Sequence, residues 1–157
     1  MYAKDRLKNA MDKYGDMIFR ICLLTLKNHA DAEDAVQETF IIYFRKLPDF
    51  ENSEHEKAWL ISVATNKCRD ILRFNKRHFT EPEELLSGYI QDEESTHILD
   101  ALMEVPDKFR IVLTLHYIEG YKIDEIAGII KKSPSAVKMR LSKGRTLLAE
   151  VYRKEFM

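Results

Sequence analysis

Glycine, proline and cysteine are scarce in this chain, at 5, 4 and 2 of 157 residues. No long alternation of β-branched and polar residues stands between the few turn formers, so the sequence offers no pattern for a sheet. No uncharged apolar run approaches the roughly 18 to 20 residues that a bilayer span requires, which excludes a membrane-spanning chain. The N-terminus, Met1 to Lys8, carries charges where a signal peptide needs an apolar core, so a cytoplasmic protein is expected. Cys22 and Cys68 have no partners at metal-ligand spacing and suit small buried hydrophobes, so no metal or cofactor is expected. Phosphate-binding glycine loops and the G-x-S-x-G elbow are absent. His55-Glu56-Lys57-Ala58-Trp59 begins like a zinc-protease H-E-x-x-H but has tryptophan in place of the second ligand. Nothing here supports a catalytic residue.

Net charge is also small, −1, with 25 basic and 26 acidic residues. A near-zero total argues against a nucleic-acid partner only if the charges are evenly spread. They are not: residues 1–77, 78–97 and 98–157 carry nets of +2, −6 and +3. Within the flanks the cations are bunched. Lys67, Arg69, Arg73, Lys76 and Arg77 stand against Asp70 alone. Lys131, Lys132, Lys138, Arg140, Lys143 and Arg145 occupy a stretch without an acid. Two basic stripes therefore flank an acidic connector.

What is present is helical periodicity in a chain that is 45% hydrophobic, too apolar for disorder. Leu7, Met11, Tyr14, Ile18, Ile21 and Cys22 predict a first helix to about Lys27, with Asn28 as a left-handed cap. Asp31 is expected to cap a second helix whose stripe is Val36, Phe40, Tyr43, Phe44 and Leu47, stopped by Pro48. A third helix is expected from Lys57 to Asn75, with Trp59, Leu60, Val63, Ala64 and Ile71 as core. Residues 78–97 read as a linker. Helix resumes at about Ile98 and breaks at Pro106, and a further helix spans 107–118. A short helix, 123–130, a turn through Lys131 and Lys132, and a last helix from Ser133-Pro134 to about Lys154 complete an all-α chain.

The last two helices have the order of a helix-turn-helix. At about 100° per residue, Val137, Leu141, Gly144, Leu148 and Val151 point inward. Ser135, Lys138, Met139, Ser142, Lys143 and Thr146 point outward. Lys138, Arg140, Lys143 and Arg145 can meet phosphates, while Lys138, Met139, Ser142 and Lys143 are placed for base edges. A solvated helix face would look similar, although bunched cations repel one another unless an anion is near. On the second helix, Asp34, Gln37, Glu38, Ile41 and Arg45 lie opposite the apolar stripe. The macrodipole accounts for acids in a first turn. It does not account for an exposed Ile41 beside them, which suits docking on a basic partner helix. In the third helix, Asn66, Arg69, Arg73, Lys76 and Arg77 form a basic face. With Phe50 and Phe74 nearby, that face suits single-stranded DNA or an ordinary snorkelling surface.

These pieces resemble, over most of the chain, the extracytoplasmic-function class of bacterial RNA polymerase sigma factors. Ala32-Glu33-Asp34-Ala35-Val36-Gln37-Glu38-Thr39-Phe40 is similar to the family's D-A-E-D-x-V-Q-E-x-F. Ala58-Trp59-Leu60 with Asn66, Asp70 and Arg73 resembles W-L-x-x-I-A-x-N-x-x-x-D-x-x-R. Leu102, Pro106, Tyr117-x-Glu119-Gly120, Glu125-Ile126-Ala127, Ser133 and Val137-Lys138-x-Arg140-Leu141 follow the second-domain pattern. The resemblance implies two small helical domains, region 2 over 1–77 and region 4 over 98–157, joined by an acidic linker at 78–97. It implies core RNA polymerase as partner, with Asp34, Gln37, Glu38 and Ile41 on the β′ clamp helices and a further contact at the β flap. Phe50, Asn66, Arg69, Arg73, Lys76 and Arg77 would serve the minus-ten element, Asn66 and Phe50 holding a flipped base. Ser135, Lys138, Met139, Arg140, Ser142, Lys143 and Arg145 would read the minus-thirty-five element of promoter DNA. Little chain precedes the first helix, so a separate anti-sigma factor is expected instead of a built-in inhibitory domain. A helix-turn-helix regulator that does not open DNA is the alternative, and a helical adaptor that never binds DNA a weaker one. Lys131 in place of the usual turn glycine, Lys122 in place of a hydroxyl cap, and Met139 and Ser142 on the recognition face depart from the family pattern.

Overall fold

The computed structural model describes residues 2–78 and 93–157, and every regular element among them is helical. The chain divides into two compact units, Met1–Pro82 and Glu83–Met157.

In the first unit α1 (Tyr2–Leu26), α2 (His29–Lys46) and α3 (Ser53–Arg77) all pack on one another. Ala10, Tyr14, Ile18, Ile21 and Cys22 face inward from α1, Ala32, Ala35, Thr39, Phe40 and Tyr43 from α2, and Leu60, Ile61, Ala64, Thr65 and Cys68 from α3. The alanines and threonines bring the backbones close, and each fully buried Leu or Ile contributes roughly 2 kcal/mol. Trp59, Val63 and Ile71, expected as core, are only half-buried, because the buried stripe of α3 runs through Ile61, Thr65 and Cys68 instead. Phe44, expected in the stripe of α2, is exposed. Ala35 and Thr39 take that inward position.

The α1–α2 junction differs from expectation by one residue. Lys27 takes the left-handed conformation (φ 59°) and its N–H bonds Leu23 O at 2.9 Å. Asn28 is extended and begins α2, its Oδ1 accepting from the Asp31 N–H at 2.9 Å. Asparagine can serve either end of a helix, and with only two residues between the helices it serves the second. Asp31 therefore lies in the first turn. Leu47 (φ 39°) closes α2 before Pro48, and Asn52 caps α3 by accepting from the His55 N–H at 2.8 Å. Arg6 of α1 secures this loop, donating to Pro48 O at 2.6 Å and Leu47 O at 3.3 Å.

In the second unit α4 (Glu93–Glu104) starts ahead of the expected Ile98, so residues 93–97 of the expected linker are helical; residues 79–92 lie outside the described residues. Pro106 caps α5 (Asp107–Leu113), which runs into a π-helical turn, Thr114–Ile118. There the Glu119 N–H reaches Thr114 O at 3.0 Å, and Gly120 (φ 79°) turns the chain into α6 (Ile123–Ile130). Lys131 is left-handed (φ 57°), as its place at the usual turn glycine requires, and the Lys132 N–H bonds Ala127 O at 3.0 Å. Lys122 caps α6 without a hydroxyl: its own N–H donates to Glu125 Oε1 at 2.9 Å. Ser133 caps α7 (Pro134–Phe156) as expected, its Oγ accepting from the Ala136 N–H at 3.1 Å. Val137, Leu141 and Gly144 of α7 are buried, with Leu148 and Val151 half-buried beyond them.

Candidate nucleic-acid interface

In the first unit one face of α3 carries the expected single-strand residues. Trp59 and Asn66 are seven positions apart, so they share a face about 10 Å apart along the axis. At the upper end Phe50 stacks near Tyr43 (centroids 6.2 Å apart) and meets the edges of His55 at 5.3 Å and Trp59 at 5.8 Å. The Arg6 guanidinium lies 5.5 Å from the Tyr43 ring and 5.9 Å from that of Phe50. The Tyr43 hydroxyl donates to Glu56 Oε2 at 2.7 Å. Burial, and then this bond to a carboxylate, push its phenol up to about 12. The result is a fixed, half-buried aromatic platform. Further along α3, Asn66 and Arg69 are half-buried, and Arg73, Lys76 and Arg77 are exposed. Arg73 pairs with Asp70 at 3.7 Å, both side chains largely in solvent, so the pair is weak and exchangeable. An aromatic shelf followed by cations is the arrangement that stacks bases and follows their phosphates.

Phe74 does not join that face. It lies on a groove between α2 and α3 lined by Asp31, Asp34, Gln37, Glu38, Lys67, Asp70, Ile71, Phe74 and Asn75. On the α2 side Asp34, Gln37 and Glu38 are exposed and Ile41 is 42% exposed, as expected. Cys22 and Cys68 are both buried free thiols. A hydrogen bond to Cys22, and then burial, push the Cys68 thiol well above its ordinary value, which makes the pair core filling and unreactive. Among the described residues no cluster of three potential metal ligands occurs.

In the second unit the outer face of α7 presents Ser135, Lys138, Met139 (73% exposed), Ser142 and Lys143, with Arg140 half-buried at its edge. Lys143 Nζ lies 5.6 Å from the Phe109 ring centroid. Arg145 stands apart from them. Its guanidinium donates to the Tyr117 hydroxyl at 3.0 Å, on an apolar groove formed by Ile98, Leu102, Tyr117, Leu148 and Tyr152 among others. Exposed Tyr117 and Ile118 come from the π-helical turn, a device that often presents side chains at functional surfaces.

Two family comparisons agree with this layout. The family described as Sigma-70 region 2 matches residues 10–78, and the one described as Sigma-70, region 4 matches residues 96–148. The chain belongs to the sigma-70 family, as an extracytoplasmic-function RNA polymerase sigma factor. This sigma factor is 29% identical to the ECF RNA polymerase sigma factor SigW of Bacillus subtilis over 96% of its own length and 90% of that relative's. It is 27% identical to the RNA polymerase sigma factor CarQ of Myxococcus xanthus, covering 95% and 90% of the two chains. Its fold matches the sigma factor RpoE from Bartonella quintana, solved with the anti-sigma factor NepR, at a TM-score of 0.80 and 21% identity over 94% and 97% of the chains. It also matches CnrH, solved with the cytosolic domain of CnrY, at 0.72 and 22% over 97% and 90%. The sigma factor therefore directs transcription initiation. No helix among its described residues is long and apolar enough to cross a membrane.

Sequence reasoning missed two supports of these surfaces. Arg110, 1% exposed, donates to Val105 O at 2.6 Å and Asp107 Oδ1 at 2.7 Å, holding the turn between α4 and α5 against α5. Burial lowers its guanidinium from its ordinary value, against the pull of Asp107. The spacing Pro106-x-x-x-Arg110 was its signal. Arg6 left none, because its contacts lie about forty positions away in the chain.

Proposed function

We propose that the first unit docks on core RNA polymerase through Asp34, Gln37, Glu38 and Ile41, set against the β′ clamp helices. In this reading the same unit opens the minus-ten element. Phe50 and Asn66 hold a base taken out of the stack, and Arg69, Arg73, Lys76 and Arg77 follow the backbone. Unstacking a base costs a few kcal/mol, which a fixed aromatic shelf and adjacent cations offset. The second unit reads the minus-thirty-five duplex through Ser135, Lys138, Met139, Arg140, Ser142 and Lys143. Arg145, at the rim of the apolar groove, serves the contact to the β flap more than the DNA. The acidic connector of 78–97, net −6, mimics nucleic acid in a basic channel of the polymerase. All of this is binding chemistry with no catalytic residue, performed in the cytoplasm and held in check by an anti-sigma factor.

The observation that carries the reading is the pairing, in one three-helix unit, of an acidic and apolar face on α2 with an aromatic-to-cationic face on α3. A helix-turn-helix regulator that leaves DNA closed needs neither. Run-off transcription with purified core polymerase tests it. Promoter-dependent transcripts are expected. Duplex binding without a transcript from any genomic template pool would favour the regulator. Lys143→Gln should lower the salt slope of minus-thirty-five binding by about one.

A further inference from the structure

The groove between α2 and α3 continues the α2 docking face onto α3, and its apolar floor has no assigned role. Phe74 is 58% exposed on a helix whose neighbouring surface positions are cationic. Its ring stacks on His78, centroids 4.0 Å apart and planes within 16°, so it is held in place without being covered. The groove's rim is acidic: Asp31, Asp34, Glu38 and Asp70 outnumber Lys67. Asn75 Nδ2 donates to Asp31 Oδ2 at 3.1 Å, tying α3 to α2 across the groove and fixing its width.

We infer that this groove is a second part of the polymerase-docking surface, in which Phe74 anchors an apolar residue of a basic amphipathic helix. Its carboxylates take the cations that flank that residue, and Asp70 is available because its exposed pair with Arg73 is readily exchanged. Phe74 could otherwise stack a base, with Arg73, Lys76 and Arg77 as its neighbours along α3, but the four carboxylates that line the groove itself repel phosphates and attract a basic helix. The inference rests on the docking proposed for α2 and adds the α3 side of it.

The test measures affinity for purified core polymerase without DNA, comparing the full chain with Glu38→Lys, Phe74→Ala and Phe74→Leu. Thermal melting and far-ultraviolet circular dichroism establish that each variant stays folded. Phe74→Ala is expected to weaken binding about tenfold, the scale of losing an interface anchor, and Phe74→Leu to restore most of it. If Glu38→Lys abolishes binding while Phe74→Ala leaves it unchanged, the groove is refuted and the α2 face stands. If Glu38→Lys has no effect, the docking reading itself fails. Normal polymerase binding by Phe74→Ala with loss of promoter opening would place Phe74 on DNA and overturn the inference, as would Phe74→Leu behaving like alanine.

Discussion

Gly144 sits in the middle of α7, where glycine costs about 1 kcal/mol relative to alanine. Its reason is contact: a Cβ there would lie 3.1 Å from Leu113 Cδ1 and 3.3 Å from Phe109 Cβ. Leu113 is 2% exposed and Phe109 7%, so a methyl group there must push buried neighbours by a few tenths of an ångström, and an overpacking cost of about 1 to 3 kcal/mol opposes the propensity gained. Gly144→Ala should lower the urea midpoint of the protein; a rise would mean that α5 yields. The sequence placed Gly144 on the inward stripe, but only the partner helix shows why no larger residue fits. Tyr43 is a similar case. Its inward position was legible from the period of α2, while its bond to Glu56 joins two helices. Because the folded phenol holds its proton more tightly, up to about 12 against an ordinary value near 10, its contribution is complete below pH about 10. The contribution is lost as pH rises toward 12. Melting temperature should therefore fall over that window more steeply for the native chain than for Tyr43→Phe. Equal slopes would remove the linkage.

Helix ends show where local sequence decides an element and where it does not. Ser133-Pro134 and the strained turn at Lys131 were both legible, because caps and left-handed turns act within a few residues. Asn28 caps α2 and not α1, a choice its local preference leaves open, because it depends on how α1 and α2 pack. The π-helical turn and the exposure of Phe44 and Phe74 were illegible for the same reason: amphipathic periodicity gives a stripe, and tertiary contact selects its centre. Lys131 offers a measurement at this scale. A non-glycine residue in the left-handed region costs about 1 to 2 kcal/mol. Lys131→Gly should stabilise the protein by about 1 kcal/mol in chemical denaturation, part of the relief being offset by the glycine's greater freedom when unfolded. Lys131→Ala keeps the left-handed conformation and removes the charge, so it should bring no gain. Equal stabilisation by both would identify charge repulsion, not backbone strain, as the cost.

Across the whole molecule the near-zero net charge results from cancellation, and the cancelling residues lie between the two basic stripes in the chain. Glu81, Glu83, Glu84, Asp92, Glu93 and Glu94 supply the −6 of the connector. Exposed charges act over about 10 Å at 0.1 M salt and about 3 Å at 1 M, so acids that follow the basic stripe of α3 in sequence, the last two of them in the first turn of α4, should lower the attraction for any polyanion at low ionic strength. Specific promoter binding, through the close contacts proposed for α3 and α7, should be less sensitive to that background than adsorption on random duplex. Changing these six residues to their amides moves the formal net charge from −1 to +5. Affinity for mixed-sequence duplex should then rise severalfold near 0.1 M salt, and preference for promoter over mixed sequence should fall. The salt slope of promoter binding should change little, because the phosphates contacted are the same. Fluorescence anisotropy with the two duplexes over a salt series reads all three quantities. An unchanged affinity for mixed-sequence duplex would confine the role of these charges to the polymerase contact proposed for them.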